Sequence, residues 1–129
     1  MLLKTATQNK LLIPMLLDEH IYSDALVILG KDFINHNIVH NLLALGDVLG
    51  HVHDHSSAPE MADKIHKALG PCGIIGAVAL YQSMAKLETL LRSAPDYAPK
   101  QAEQCRADLQ ETLYILQTLS PSSQISTPC

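Results

Sequence analysis

The sequence predicts an all-α protein, an antiparallel four-helix bundle with a short extra helix at its N-terminal end. Three observations carry that expectation. Hydrophobic residues make up 47% of the chain but aromatics only 4%, and sheets draw heavily on Tyr, Phe and Trp. The apolar content is instead rich in Leu and Ala, which are good helix formers. Apolar positions recur at three- and four-residue spacing, with no β-branched alternating run and no Asn-Gly or Asp-Gly turn. At 129 residues the chain is one ordinary domain, long enough to bury a core and too short for two.

The elements follow in order. Residues 1–16 form a mixed, weakly patterned segment expected to be partly helical. Within 11–18, Pro14 suits a first turn better than a helix interior. Ser23 and Asp24 can cap a segment over 25–29, which Gly30 interrupts and Asp32 restarts. From there Phe33, Ile34, Ile38, Leu42, Leu45 and Leu49 keep helical register, until the HVHDHSSAP stretch from His51 to Pro59 ends the helix. Ser56 or Ser57 can cap the next helix, with Pro59 and Glu60 in its first turn and Met61, Ile65 and Leu69 on one face. Gly70-Pro71-Cys72-Gly73 is expected to end it. A helix over 74–92 follows, with Val78, Tyr81, Met84, Leu87 and Leu91 in register. After a turn with two prolines, a last helix over 100–119 carries Ala102, Cys105, Leu109, Thr112 or Leu113, and Leu116. The bundle thus spans 17–119, and the Ser/Pro-rich residues 120–129 read as a disordered tail. Helices of ~20 residues, each ~30 Å long, joined by short polar connections pack as an antiparallel bundle.

Composition excludes several roles. A net charge of −4 offers no basic patch for nucleic acid or an anionic membrane. Cys72, Cys105 and Cys129 are an odd number, widely spaced and without a CxxC pair, as expected of free thiols in a reducing compartment. The apolar run over 11–17 is broken by Pro14 and followed by Asp18, Glu19 and His20, which is not a secretory signal. No stretch approaches the ~18 apolar residues of a membrane span. A cytoplasmic monomer is expected.

Seven histidines stand out. His36 and His40, at i and i+4, put two imidazoles on one helix face, and His51, His53 and His55 cluster at a helix end. A metal-binding helical bundle using His36 and His40 is therefore one reading. Against it, no HExxH glutamate lies between the first pair and no cysteine is nearby, and cationic side chains favour helix C-termini anyway. No metal is assigned.

His66 has different surroundings. It sits about 100° from Ile65, toward solvent, with Gly70 beside it at i+4. A mid-helix glycine costs ~1 kcal/mol relative to alanine, and one reason to keep it is access for a bulky partner. Asp63 at i−3 is placed to hold or polarise the ring. An exposed neutral imidazole is a nucleophile. On local spacing alone the plainer reading, a surface histidine ahead of a helix-capping glycine, is favoured.

The stretch IHKALGPCGIIGAVALYQSMAKLE, from Ile65 to Glu88, resembles the core of the histidine-containing phosphotransfer (HPt) family. In that family the phosphorylated histidine is followed by glycine four residues on, a second glycine and a small residue ten residues on, and a helix ending near a Leu-Glu pair. Here these are His66, Gly70, Gly76-Ala77 and Leu87-Glu88. The upstream SDALVILGKDFINHNIVHNL resembles the family's first half, and the likeness covers residues 17–118. The resemblance implies a phosphocarrier in a two-component phosphorelay, with His66 passing a phosphoryl group between receiver-domain aspartates of response regulators or hybrid histidine kinases. The receiver would supply Mg²⁺, and this chain would bind no cofactor. The absence of a GxxxxGK[ST] motif fits a protein with no ATP site.

The family commonly has lysine three residues after the histidine. Here that residue is Leu69, and Lys67 is the nearest basic substitute. Glu88 occupies the position from which an amide or acid contacts the imidazole in the family. Leu69, Ile74 and Ile75 are the docking candidates, as far as the bundle leaves them exposed. The missing lysine also motivates an alternative: an HPt-like docking module without phosphate chemistry.

Overall fold

The computed structural model describes residues 16–52 and 58–118. Every regular element among them is helical, without a strand. The first helix, α1 (Glu19–Leu29), begins where the Asp18 carboxylate accepts hydrogen bonds from the backbone N–H groups of His20 and Ile21, at 3.0 and 3.1 Å. That is an N-cap in the ordinary sense, with Glu19 favourably placed in the first turn. Ser23 and Asp24 therefore lie inside α1 and do not start it. Leu16 and Leu17 are buried just ahead of it. The expected N-terminal helix and the tail lie outside the described residues.

At Gly30, φ is +87°, a left-handed conformation that ends α1 and turns the chain. The second helix, α2 (31–50), has a π-helical middle over Ile34–Val39, flanked by α-helical Lys31–Phe33 and His40–Gly50. Side chains return to its backbone here: Asn37 Nδ2 donates to the Phe33 carbonyl at 3.2 Å, and His36 Nδ1 lies 2.9 Å from the Asp32 carbonyl oxygen. The predicted stripe Ile34, Ile38, Leu42, Leu45 and Leu49 is buried, while Phe33 is half-exposed.

The third helix, α3 (Ala58–Ile74), carries Met61, Ile65 and Cys72 into the core. It does not end at Gly70. The helix continues through Gly70 and Pro71 to Ile74. Proline's fixed φ is helical, and its missing N–H removes only the one bond to the Lys67 carbonyl. Neighbouring Cys72 and Ile75 are fully buried, so packing holds the last turn in place. Termination comes six residues later, at Gly76, where φ is +76°. The Ala77 N–H bonds back to the Cys72 carbonyl at 2.9 Å, and the Gly76 N–H to Gly73 at 3.2 Å.

The fourth helix, α4 (Val78–Ser93), buries Leu80, Met84, Leu87 and Leu91. Its start is later than expected, and Tyr81 is half-exposed because the stripe turns toward Leu80. A 3₁₀ turn at Pro95–Tyr97 leads into α5 (Ala98–Thr118), whose buried face includes Ala102, Cys105, Leu109 and Leu116, as its periodicity predicts, with Thr112 buried and Leu113 only partly so. α3 packs on α4, α4 on α5, α5 on the His40–Gly50 part of α2, and that part on α3, closing a ring of four helices. A polar tie joins α4 and α5: Gln101 Nε2 donates to the Ser83 carbonyl at 2.9 Å, and the Ser83 hydroxyl donates to Asp108.

Candidate functional site

Ile65 is wholly buried, so its neighbour His66 is carried out of the core, and its side chain is 66% exposed. Across the α3–α4 interface, Leu87 is equally buried and sets Glu88 at the edge of the same seam, 17% exposed. The two meet there, with His66 Nδ1 3.1 Å from Glu88 Oε1. The second carboxylate oxygen, Oε2, accepts from Arg92 Nε at 3.0 Å, an i,i+4 pair on α4. Arg92 Nη2 in turn donates to Asp63 Oδ1 at 3.0 Å, back on α3. Imidazole, carboxylate, guanidinium and carboxylate thus form one line that crosses the seam twice.

The electrostatics follow from this line. Burial pulls the Glu88 carboxyl upward, but hydrogen bonds and charge from His66 and Arg92 outweigh it and hold the group below the ordinary carboxylate range. An ionised carboxylate only accepts, so Nδ1 carries a proton, and in the neutral ring the lone pair is then on Nε2. The hydrogen bonds to Asp63 and Glu88 raise the Arg92 guanidinium further. Asp63 does not hold the ring as expected. Its carboxylate is committed to Arg92.

Gly70 lies on α3 one turn past His66, at negative φ and exposed, and so is no helix cap. A Cβ there would meet nothing within 4 Å. Among the described residues no tertiary neighbour calls for glycine at that position; the local constraint is Pro71, which crowds a Cβ on the helical residue before it. Gly76 is the reverse. A Cβ there would lie 2.8 Å from the Asp18 carbonyl oxygen and 3.0 Å from the Ile21 Cβ. The Gly76 carbonyl accepts from the Asp18 N–H at 2.8 Å. Asp18 thus caps α1 and fastens it to the α3–α4 turn, and Ala77 is fully buried behind it.

The other expected site residues separate. Lys67 turns to the α2 side, where it and Lys64 rim a groove of about 310 Å³ floored by Leu45, Val48, Ala68 and Pro71. Leu69 is half-buried against the core. Ile75 is wholly buried and cannot dock a partner, because it plugs the end of α3. Ile74 is 47% exposed and remains available. Sequence reasoning missed Arg92, although the Glu88–Arg92 spacing is one that pairs charges on a helix surface.

Among the described residues no group of three His, Cys, Asp or Glu side chains is arranged to hold a metal ion. His36 and His51 direct Nδ1 to carbonyls of their own helix, at Asp32 and Asp47. His53 and His55 lie outside the described residues. Burial pushes the Cys72 and Cys105 thiols up to about 12, which leaves both inert as nucleophiles, while Cys129 is outside the described residues. No described helix is long and apolar enough to cross a membrane. No protein-family model, curated protein or solved structure matches the chain.

Proposed function

We propose that this chain is a histidine phosphotransfer protein, an antiparallel four-helix bundle that accepts a phosphoryl group on His66 and passes it on. The observation that carries this reading is the exposed imidazole whose Nδ1 lies 3.1 Å from the Glu88 carboxylate. The closed ring of helix contacts and the short connections at 75–77 and 94–97 support the bundle.

The chemistry is one displacement. The Nε2 lone pair attacks the phosphorus of a receiver's aspartyl phosphate. The N–P bond forms as the acyl O–P bond breaks, and the bonding pair leaves with the aspartate carboxylate. The ring keeps its Nδ1 proton and becomes cationic, and the Glu88 carboxylate faces that charge as it develops. The reverse displacement hands the group to a second receiver aspartate. In-line positioning and charge neutralisation do most of the work in phosphoryl transfer. The resemblance assigns the Mg²⁺ to the receiver, in the cytoplasm. Gly70 keeps the approach to the ring open, and Ile74 offers apolar surface for docking.

Incubation with a phosphorylated receiver domain should label the chain in an acid-labile, base-stable form, and His66→Gln should abolish the label. Labelling that survives this substitution overturns the assignment. A receiver that binds without any transfer of phosphate would select the docking module instead.

A further inference from the structure

We infer that Arg92 is a positioning residue that tunes His66 through Glu88, and that Asp63 sets how strongly it does so. The inference rests on His66 being the phosphoryl acceptor and goes beyond it by naming what keeps the ring reactive.

A carboxylate 3.1 Å from an imidazole has two effects. It fixes the proton on Nδ1, which frees Nε2. It also favours the imidazolium, in which no lone pair is left to attack. An unshared Glu88 would give the first effect at the expense of the second. Arg92 resolves the conflict, because its Nε occupies the opposite carboxylate oxygen and its positive charge offsets the negative charge that the ring feels. The hydrogen bond to Nδ1 then survives without drawing a second proton onto Nε2. Asp63 binds the far side of the guanidinium and works against this, returning part of the negative charge.

The remaining charges around the ring do not reproduce the arrangement. On α3, Lys64 and Lys67 line the groove facing α2. Across that groove α2 presents Asn41, Ala44, Leu45 and Val48, none of them charged. α1 meets the far end of α3 through Asp18 and Ile21 at Gly76, a turn and a half beyond Gly70. From α4 the charged groups in line with the ring are Glu88 and Arg92.

The test uses the full chain and phosphoramidate as donor, so that no cognate receiver is needed. Phosphoramidate loses ammonia as its P–N bond breaks and the new N–P bond forms at Nε2. Phosphorylation rate is followed across pH, and the His66 ring nitrogens are followed by ¹⁵N NMR in the unphosphorylated protein. Arg92→Gln should move the acid limb of the rate profile, and the ring titration with it, upward by a few tenths of a unit. Transfer at pH 7 then falls relative to the unmodified chain and recovers as the pH is raised. Arg92→Lys keeps the charge and should restore most of the profile. Asp63→Asn should move both curves the other way, by less. Profiles that superimpose for Arg92→Gln, or Arg92→Gln and Asp63→Asn curves that move in the same direction, overturn the inference. Both side chains are well exposed, so all three variants should keep the parent circular dichroism. If the ring titrates as expected but no receiver phosphorylates it, the phosphotransfer reading fails while the hold of Arg92 on the ring stands.

Discussion

The two ends of the segment 66–76 are built on opposite terms. At its start, the His66 ring is exposed, its neighbour Gly70 faces open space, and its partners Arg92 and Asp63 stand at the surface. At its end, Gly76 is in a left-handed conformation that its neighbours have closed around, with a backbone oxygen where a side chain would begin. Both glycines belong to the pattern that drew attention to this stretch, yet they answer different needs. Gly76 is required by this chain's own packing. Gly70 has no neighbour across the fold that excludes a side chain; the constraints left on it are the Pro71 ring that follows it in the helix and the proposed access to His66. A motif glycine can therefore be sorted by asking what a Cβ would touch.

Replacing Gly76 should have the largest effect. In Gly76→Ala the left-handed φ costs roughly 1–2 kcal/mol. The approach to the Asp18 carbonyl must also open, for a total of about 3 kcal/mol. Urea unfolding followed by circular dichroism measures it. A loss below about 0.5 kcal/mol would mean that the closed end is not closed.

Gly70→Gln should do the reverse. The gain of ~1 kcal/mol from replacing a mid-helix glycine is opposed by crowding of the new Cβ against Pro71, so stability should change by less than about 1 kcal/mol and the circular dichroism should be kept. Transfer from a receiver to His66 should slow at least ~10-fold, because the new side chain stands where a partner must approach. Phosphoramidate is small and should be hindered far less. An unchanged receiver rate would remove the access argument for Gly70.

Much of this was legible in the sequence, and the parts that were not share a cause. Helix content and the buried faces of α3 and α5 follow from periodicity, since Ile65 and Leu109 sit where their spacing puts them. The end of α3 lies beyond the expected break because Gly70-Pro71 are local breakers, and the packing that carries a helix through them is tertiary. Pairing of His66 with Glu88 was expected from the family resemblance and meets the geometry. Asp63 pairs with a neighbour other than the expected ring. It lies one turn from His66 on the same helix, but the guanidinium that takes it arrives from α4, which no spacing within α3 reveals. Ile75 is a docking candidate only as far as the bundle leaves it exposed, and the chain folds inward there and buries it.

The smallest expected effect concerns the open end and has a definite sign. Glu88 is held below the ordinary carboxylate range in the folded chain, through His66 and Arg92 and against the opposing pull of burial. A group with a depressed folded pKa contributes stability that is complete above its unfolded value, about 4.3 for glutamate. That contribution is lost as the pH falls through the lower, folded value. Glu88→Gln removes it. The urea midpoint of the variant should therefore fall slightly below that of the parent near pH 6, and the gap should narrow as the pH drops below about 4. It should also shrink in high salt, as expected for partners as exposed as Arg92 and His66. A gap as large as that of Gly76→Ala would make the His66 end a structural joint, and the contrast between the two ends would fail. A small, acid-sensitive gap, together with a large change in His66 phosphorylation, places the work of Glu88 on the ring and not on the fold.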